Sequence, residues 1–177
     1  MPQITLSPLK HIEIEPVIAL AHRIWHAHYP AIITVEQIDY MLEHGYTPHL
    51  IHEEMEQGVT WMVIRDEAVM IGFLAAGPYG DHTIKLHKLY LLPEYHGKGI
   101  GGQALAEVER IAKAAGATQL LLNVNKYNET AIRSYQRAGW QVAEEVVNDI
   151  GNGFVMDDYV MAKNISADNP AVIYIQR

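Results

Sequence analysis

Four glycines fall within the six residues from Gly97 to Gly102, at the point where an extended segment gives way to a helical one. Before them, Thr83 to Leu92 alternates with the period of a strand, and Pro93 closes that strand. After them, Ile100 to Ala115 carries apolar residues at helical spacing, and Gly116 suits the left-handed position that ends a helix. The junction therefore predicts a strand, a tight loop and a helix in direct succession.

The other segments also alternate between helical and extended periods. Further helices are predicted at Ile12–His28, at Val35–Leu42 resuming over Pro48–Gln57, and at Asn128–Ala138. Further strands are predicted at Ile4–Leu6, Thr60–Arg65, Val69–Ala76, Thr118–Val124, Trp140–Val147 and Phe154–Ala162. Hairpin connections are indicated at Asp66-Glu67 and around Gly151-Asn152-Gly153. The pattern is typical of a mixed α/β fold.

Length and composition limit the class of protein. The chain of 177 residues has no repeat and no linker rich in Pro, Gly or Ser, so we expect one domain over residues 1–177. Hydrophobic residues make up 49% but never form a run of about 18, which excludes a spanning helix. The N-terminal residues lack the features of a secretory signal, which favours a cytoplasmic location. There is no cysteine, so thiolate chemistry is excluded.

The charge balance disfavours one class of partner. Thirteen Lys and Arg against twenty-one Asp and Glu give a net charge of −8, which opposes binding to a nucleic-acid backbone. An acidic surface would attract a cationic substrate such as an amine, although such surfaces more often serve only solubility. The charge alone does not identify a substrate.

The glycine-dense loop indicates a phosphate site. Residues without Cβ atoms let successive backbone N–H groups approach phosphate oxygens at a helix N-terminus, and Lys98 adds a cation. A dinucleotide-binding fold is disfavoured because Pro93–His96 separate the strand from the loop and no carboxylate ends the next strand, Leu122–Asn125. A P-loop is disfavoured because Gly99 stands where Ser or Thr should follow Lys98. NAD and ATP remain as alternatives.

Two segments in this order resemble the GNAT superfamily of acetyl-CoA-dependent N-acetyltransferases. His96–Gly101 resembles its Gln/Arg-x-x-Gly-x-Gly/Ala signature, with His96 in place of Gln or Arg, and Asn125–Trp140 resembles its later Asn and Tyr motif. The resemblance covers Gln3–Lys163 and is most specific over Lys85–Trp140. It implies acetyl-CoA as cofactor and a mostly antiparallel sheet of about six to seven strands, flanked by about four helices, with a splayed strand pair at the cofactor site.

The resemblance also implies roles for individual residues. The predicted cofactor-binding residues are Leu89, Tyr90, Leu91, His96, Gly97, Lys98, Gly99, Ile100, Gly101, Gly102, Asn128, Ala131 and Tyr135. Backbone groups around Leu89 to Leu91 would pair with the pantetheine arm, and an N–H near Leu89 or Tyr90 would stabilise the oxyanion. Tyr135 resembles the general acid that protonates or hydrogen-bonds the leaving sulfur. The alternative for Tyr135 is a buried aromatic with a satisfied hydroxyl.

An alkylamine acceptor must lose a proton before it attacks, because its pKa is about 10. Many relatives place a Glu on the strand before the loop, where this chain has Lys85 and His87. We predict His87 as the base, directly or through water, with a structural or merely exposed histidine as the alternative. Residues predicted to border the acceptor pocket are Trp25, His26, His28 and Tyr29, with packing as an equal alternative for the two aromatic rings. No metal site is predicted.

The segment 164–177 extends beyond the resemblance. Its β-prone run Ala171–Ile175 could add an edge strand, pair with a second subunit or stay loose, and the resemblance implies a homodimer. The sequence as a whole favours an N-acetyltransferase for a primary amine of a small molecule, either a polyamine or an amino compound. The alternatives are a non-catalytic acyl-CoA-binding sensor, a protein N-terminal or lysine acetyltransferase, and a nucleotide-binding protein of another fold.

Overall fold

A computed structural model describes residues 1–165, so the run Ala171–Ile175 lies outside the described residues. Seven strands form one mixed, mostly antiparallel sheet in the order β1-β2-β3-β4-β5-β7-β6. The strands are β1 Ile4–Pro8, β2 Thr60–Asp66, β3 Val69–Pro78, β4 Thr83–Leu91, β5 Gln119–Asn125, β6 Gln141–Gly151 and β7 Phe154–Asn164. The helices are α1 Ile14–His28, α2 Val35–Gly45, α3 Pro48–Glu56, α4 Ile100–Ala114 and α5 Glu129–Arg137. The predicted fold class is confirmed.

Two elements differ most from the sequence prediction. The second helical stretch is two helices, because Thr47 caps α3 by accepting a hydrogen bond from the Leu50 N–H at 3.1 Å and Pro48 follows as its first residue. Strand β6 extends four residues beyond the predicted Val147. A two-residue turn with positive φ at Asn152 (53°) and Gly153 (78°) carries the β6–β7 pairing as far as Gly151.

Contacts group the chain into two compact units. The first unit comprises Met1–Ala76 and Lys88–Ala104, and the second comprises Gly77–His87 and, within the described residues, Leu105–Ile165. The prediction of one domain stays a prediction. Across residues 1–165, no helix is long and apolar enough to cross a membrane.

In the first unit, β2 pairs antiparallel with both β1 and β3. Strand β3 is buried from Ile71 to Gly77, so it reads as a continuous apolar run. Helix α1 buries an apolar stripe on which Val17, Ala21 and Ile24 are almost fully enclosed. Helix α2 begins where the Thr34 side chain accepts a hydrogen bond from the Gln37 N–H at 3.2 Å.

A close backbone approach in the first unit depends on Gly72 in β3. A Cβ on Gly72 would lie 2.4 Å from the Tyr90 carbonyl oxygen and 2.6 Å from Leu91 Cδ2. The ladder also shifts register here, between Ile64 and Arg65 on β2, and the Ile71 carbonyl accepts from the Leu92 N–H at 2.9 Å. Glycine at this position therefore lets the end of β4 sit against β3.

In the second unit, β4 and β5 pair in parallel from Thr83↔Gln119 to Leu86↔Leu122, and both strands continue past that ladder. Strand β7 pairs antiparallel with β5 on one side and with β6 on the other. One face of this part of the sheet is apolar and buried, and its members are Ile84, Leu86, Leu120, Leu122 and Met161. Helix α4 is tied to that face by an ion pair between Lys163 on β7 and Glu109, at 2.9 Å.

We expect Gly72→Ala to lower the free energy of unfolding by roughly 1–3 kcal/mol, because the new methyl group overlaps backbone that cannot move away. Gly45→Ala is the matched control, since nothing lies within 4 Å of its added Cβ, and in a helix Ala is favoured over Gly by up to about 1 kcal/mol. Denaturant unfolding of both variants measures the difference. Equal midpoints for Gly72→Ala and the wild-type protein would contradict this account.

Candidate functional site

The glycine-dense loop follows β4 through a short 3-10 turn, Pro93–Tyr95, and ends where α4 begins at Ile100. Gly97 and Gly99 adopt φ values of 72° and 77°, in the left-handed region that favours glycine. The Ile100 side chain is buried and anchors the start of α4. The loop conformation therefore requires glycine at two positions.

The backbone N–H groups of the loop have no acceptor in the part of the chain that the structure describes. Between residues 1 and 165, nothing accepts a hydrogen bond from the N–H groups of Gly97 through Gly102, and the first such bond runs from Gln103 to the Gly99 carbonyl at 3.2 Å. These groups include the first N–H groups of α4, which carry partial positive charge. The loop presents a row of unengaged donors at a helix N-terminus, the arrangement that binds phosphate.

The space beside the loop is open. A Cβ added to Gly97, Gly99, Gly101 or Gly102 would meet nothing within 4 Å. Gly101 and Gly102 lie inside the first turn of α4 and have no positive φ, so neither internal packing nor strain explains them. Glycine lowers the stability of a helix by about 1 kcal/mol relative to Ala. Close approach of a ligand to the backbone would explain why glycine occupies these positions despite that loss.

His96, which stands in the Gln/Arg position of the signature, is held by the protein. Its Nε2 lies 3.1 Å from the Leu91 carbonyl oxygen, so Nε2 carries a hydrogen and donates it there. The ring also makes an edge contact with His28, at 6.2 Å between centroids. Lys98 is exposed, with Nζ 4.9 Å from the centre of the Tyr95 ring. The predicted cofactor contacts of His96 and Lys98 stay predictions.

The end of β4 supplies the next predicted cofactor residues. Leu89 and Tyr90 are half-buried and Leu91 is buried, and their positions follow the point at which the β4–β5 ladder ends. The Tyr90 ring lies 5.6 Å from Phe73 and 5.5 Å from Trp25. Pairing of this backbone with a cofactor arm stays a prediction.

The predicted acceptor residues in the first unit divide into two groups. Trp25 and Tyr29 are buried against each other at 4.5 Å between ring centroids, and Trp25 also contacts Tyr46 and Tyr90. Packing alone explains their burial. His26 is exposed and His28 is half-buried against Tyr29.

Sequence reasoning missed a buried ion pair within the same unit. Lys88 Nζ lies 3.3 Å from the Glu54 carboxylate, and both side chains are largely enclosed. The ammonium sits over the Tyr46 and Trp61 rings at 5.4 and 5.1 Å, and the Trp61 indole donates to Glu54 at 2.9 Å. Burial raises the pKa of Tyr46 well above its ordinary value. The available signal was a lysine on the strand face that alternation predicts to be shared with Tyr90.

The predicted residues of the second unit lie on β4 and α5. His87 is exposed and shares the face of β4 that carries Lys85. Tyr135 is half-buried on α5, 6.0 Å from the Trp140 ring centroid. Asn128 precedes the helix instead of beginning it, because its side chain caps α5 by accepting from the Ala131 N–H at 3.5 Å. Neither catalytic role is tested by these placements.

The chain is similar in sequence to known acetyltransferases. The sequence model of the Acetyltransferase (GNAT) family matches residues 21–140, and the chain belongs to that family. An uncharacterized N-acetyltransferase of Mycobacterium bovis is 30% identical over 104 residues, which are 59% of this chain and 66% of that protein, just under two thirds of its length. The Spermidine N(1)-acetyltransferase of Thermoplasma acidophilum is 24% identical over 87% of this chain and 96% of its own.

A solved structure shares the fold. The PaiA N-acetyltransferase of Thermoplasma acidophilum, in complex with coenzyme A, superposes with a TM-score of 0.78 at 24% identity, covering 92% of this chain and 99% of that one. The predicted family is therefore confirmed, and this neighbour holds the coenzyme that the sequence predicts.

His26 links α1 to α2, and this link should make stability depend on pH. Its ring nitrogens lie 2.8 Å from the His22 carbonyl oxygen and 2.8 Å from Asp39, and these contacts raise the pKa of His26, the carbonyl contributing most. A raised pKa stabilises the fold fully below about pH 6.5, and this contribution is lost as pH rises through the folded-state pKa.

We expect His26→Gln to lower the free energy of unfolding by roughly 0.2–1 kcal/mol at about pH 5.5, and by less at about pH 8.5, because the pair is exposed. His22→Gln keeps the backbone carbonyl and serves as the control. Denaturant unfolding at both pH values tests this, and a pH-independent effect of His26→Gln would contradict it.

Proposed function

We propose that this protein is an N-acetyltransferase that transfers the acetyl group of acetyl-CoA to a primary amine of a small molecule. The observation that carries the proposal is the row of N–H groups from Gly97 through Gly102, which lack acceptors in the described chain and border open space. A diphosphate supplies acceptors for such a row, and the positive end of α4 favours its charge. Family membership makes coenzyme A the diphosphate of choice over NAD and ATP.

When bound, acetyl-CoA supplies an acetyl thioester that an uncharged amine can attack. The residues proposed to hold it are the predicted set from Leu89 to Leu91, from His96 to Gly102, and in the motif that begins at Asn128. A backbone N–H at Leu89 or Tyr90 donates to the carbonyl oxygen as negative charge develops there.

Proton transfers fall to two side chains of the second unit. We propose that His87 takes a proton from the ammonium of the acceptor, because imidazole ionises near neutral pH. We propose that the Tyr135 hydroxyl donates its hydrogen to the leaving sulfur. Both roles rest on the family pattern and on positions in the sequence.

The acceptor is proposed as a small amine on two grounds. The spermidine acetyltransferase similar to this chain acts on an amine, and the net charge of −8 attracts cations. A polyamine and an amino compound both satisfy these grounds. Cytoplasmic location and a homodimer stay predictions of the sequence and of the resemblance.

Blocking the open space beside the loop should weaken coenzyme binding without unfolding the protein. No protein atom lies within 4 Å of a Cβ added at Gly102, so we expect Gly102→Leu to leave the stability unchanged or to raise it. Because the new side chain occupies the space beside the loop, we expect the Kd for acetyl-CoA to rise about 10-fold or more. Ala106→Leu, at an exposed position one turn later in α4, is the matched control and should bind normally.

Calorimetric titration with acetyl-CoA, NAD and ATP measures this effect and tests the ligand class together. Binding of NAD or ATP in the absence of any acetyl-CoA binding would overturn the proposal.

Tyr135→Phe keeps the ring and removes the hydroxyl, so we expect kcat to fall by about 10²–10⁴ with an unchanged Kd for acetyl-CoA. In the same assay, His87→Ala should lower turnover and flatten its dependence on pH. Free thiol release with a panel of amines measures both. Turnover of Tyr135→Phe equal to that of the wild-type protein would contradict the role of Tyr135 as general acid. Binding of the coenzyme without thiol release for any amine would favour a non-catalytic acyl-CoA-binding sensor.

A further inference from the structure

Two side chains of opposite charge share one face of the sheet in the second unit. Lys85 on β4 is opposite Leu121 on β5, and Asn125 on β5 is opposite Asp158 on β7. Directly paired residues lie on the same face, and alternate residues of a strand do as well. Lys85, Asn123 and Asp158 therefore lie on one face, which we call the charged face.

The charged face is not the one on which α4 packs. Lys163, which binds Glu109 of α4, is opposite Leu120, and Leu120 belongs to the buried apolar face. His87 lies on the charged face two residues beyond Lys85. Polar residues are thus gathered on the side of the sheet away from that helix.

Asp158 is the unusual member of this face. Its residue exposure is only 6%, and its Oδ1 has no hydrogen-bond partner among residues 1–165. Burial raises the pKa of Asp158, while the Asn123 side chain and the charge of Lys85 oppose that rise. A buried carboxylate oxygen without a donor is unfavourable, and most such atoms in proteins are paired.

Lys85 is a partly buried charge that also lacks a direct ion pair in the described chain. Burial lowers its pKa, and the negative charge of Asp158 partly offsets that effect. Its ammonium lies 4.9 Å from the centre of the Tyr79 ring and forms neither an ion pair nor a hydrogen bond with any residue that the structure describes. The two charges attract each other but form no direct ion pair in the described chain.

We propose that the charged face binds the α-ammonium and α-carboxylate groups of a free amino acid, with Asp158 and Asn123 holding the ammonium and Lys85 holding the carboxylate. A ligand with both charges satisfies both side chains. A polyamine would pair with Asp158 but place a second positive charge near Lys85, which costs energy. A simple carboxylic acid would leave Asp158 unpaired.

This inference rests on the proposed function, which it narrows to one class of acceptor. An ammonium held by a carboxylate stays protonated and is a poor nucleophile, so the acetylated nitrogen is a second amine of the same molecule. That amine loses a proton to a base and forms the N–C bond as the C–S bond breaks, and the departing sulfur takes a proton. The acceptor class is therefore a diamino carboxylic acid, for which lysine is the probe.

Four ligands separate the contribution of each charge. Lysine carries both groups, lysinamide lacks the carboxylate charge, ε-aminocaproate lacks the α-amine, and cadaverine lacks the carboxylate altogether. We expect kcat/KM for lysine to exceed that of each of the other three by about 10-fold or more, the effect of one charge-assisted hydrogen bond.

Two variants test which residue is responsible for each preference for lysine over the other ligands. Asp158→Asn keeps the side-chain size and should erase the preference for lysine over ε-aminocaproate. Lys85→Met should erase the preference for lysine over lysinamide and cadaverine. Asp157→Asn is the matched control, because Asp157 lies on the opposite face of β7 and pairs with Lys126 at 2.8 Å, so its selectivity should match the wild-type protein.

The outcomes distinguish this inference from the proposed function. Calorimetric binding of lysine, present in the wild-type protein and lost in Asp158→Asn, supports the site even if no thiol is released, in which case only the proposed function fails. Thiol release with cadaverine or spermidine equal to that with lysine, unaffected by Lys85→Met, overturns the inference and leaves the proposed function intact. Unfolding midpoints of both variants identify a loss due to misfolding, in which case the ligand series on the wild-type protein decides.

Discussion

The N-terminus of α4 imposes the constraint on which the functional interpretation depends. A helix leaves its first N–H groups without internal partners, and proteins usually satisfy them with a side-chain cap, as Thr34 does for α2 and Thr47 does for α3. Among residues 1–165, no side chain caps the α4 terminus in this way, and the loop before it adds further unengaged donors from Gly97 onward. Glycine keeps the adjoining space open, so the missing partner is best supplied by an anionic ligand.

Two lysines of β4 differ in whether the protein supplies a partner for the charge. Lys88 is paired with Glu54 and enclosed by aromatic rings, and the Trp61 indole satisfies the same carboxylate. Both charges of that pair therefore have a partner of opposite sign, and packing accounts for the pair. Lys85 and Asp158 attract each other without contact, and one Asp158 oxygen lacks a donor. A ligand is inferred for Lys85 and Asp158 because these charges lack the direct ion pair that Lys88 and Glu54 form.

Much of the fold was predictable because its signals are local. The left-handed Gly116 after α4, and the glycine-dense loop between β4 and α4, correspond to what the sequence indicates. The split between α2 and α3 was also indicated by Pro48, although the two were counted as one helical stretch. The aromatic side chains were harder to interpret. Trp25 and Tyr29 suit a pocket as well as a core, and burial of each ring against the other depends on residues distant in sequence.

The sequence by itself determined the family, the succession of strands and helices, and the loop that presents N–H groups, because turn chemistry and hydrophobic period act over a few neighbouring residues. Only the tertiary structure decided which polar side chains are left without partners. The registry of three strands brings Lys85, Asn123 and Asp158 to one face, although more than 70 residues separate the first from the last. Strand pairing over such separations is set by the packing of the whole sheet, and no local pattern encodes it.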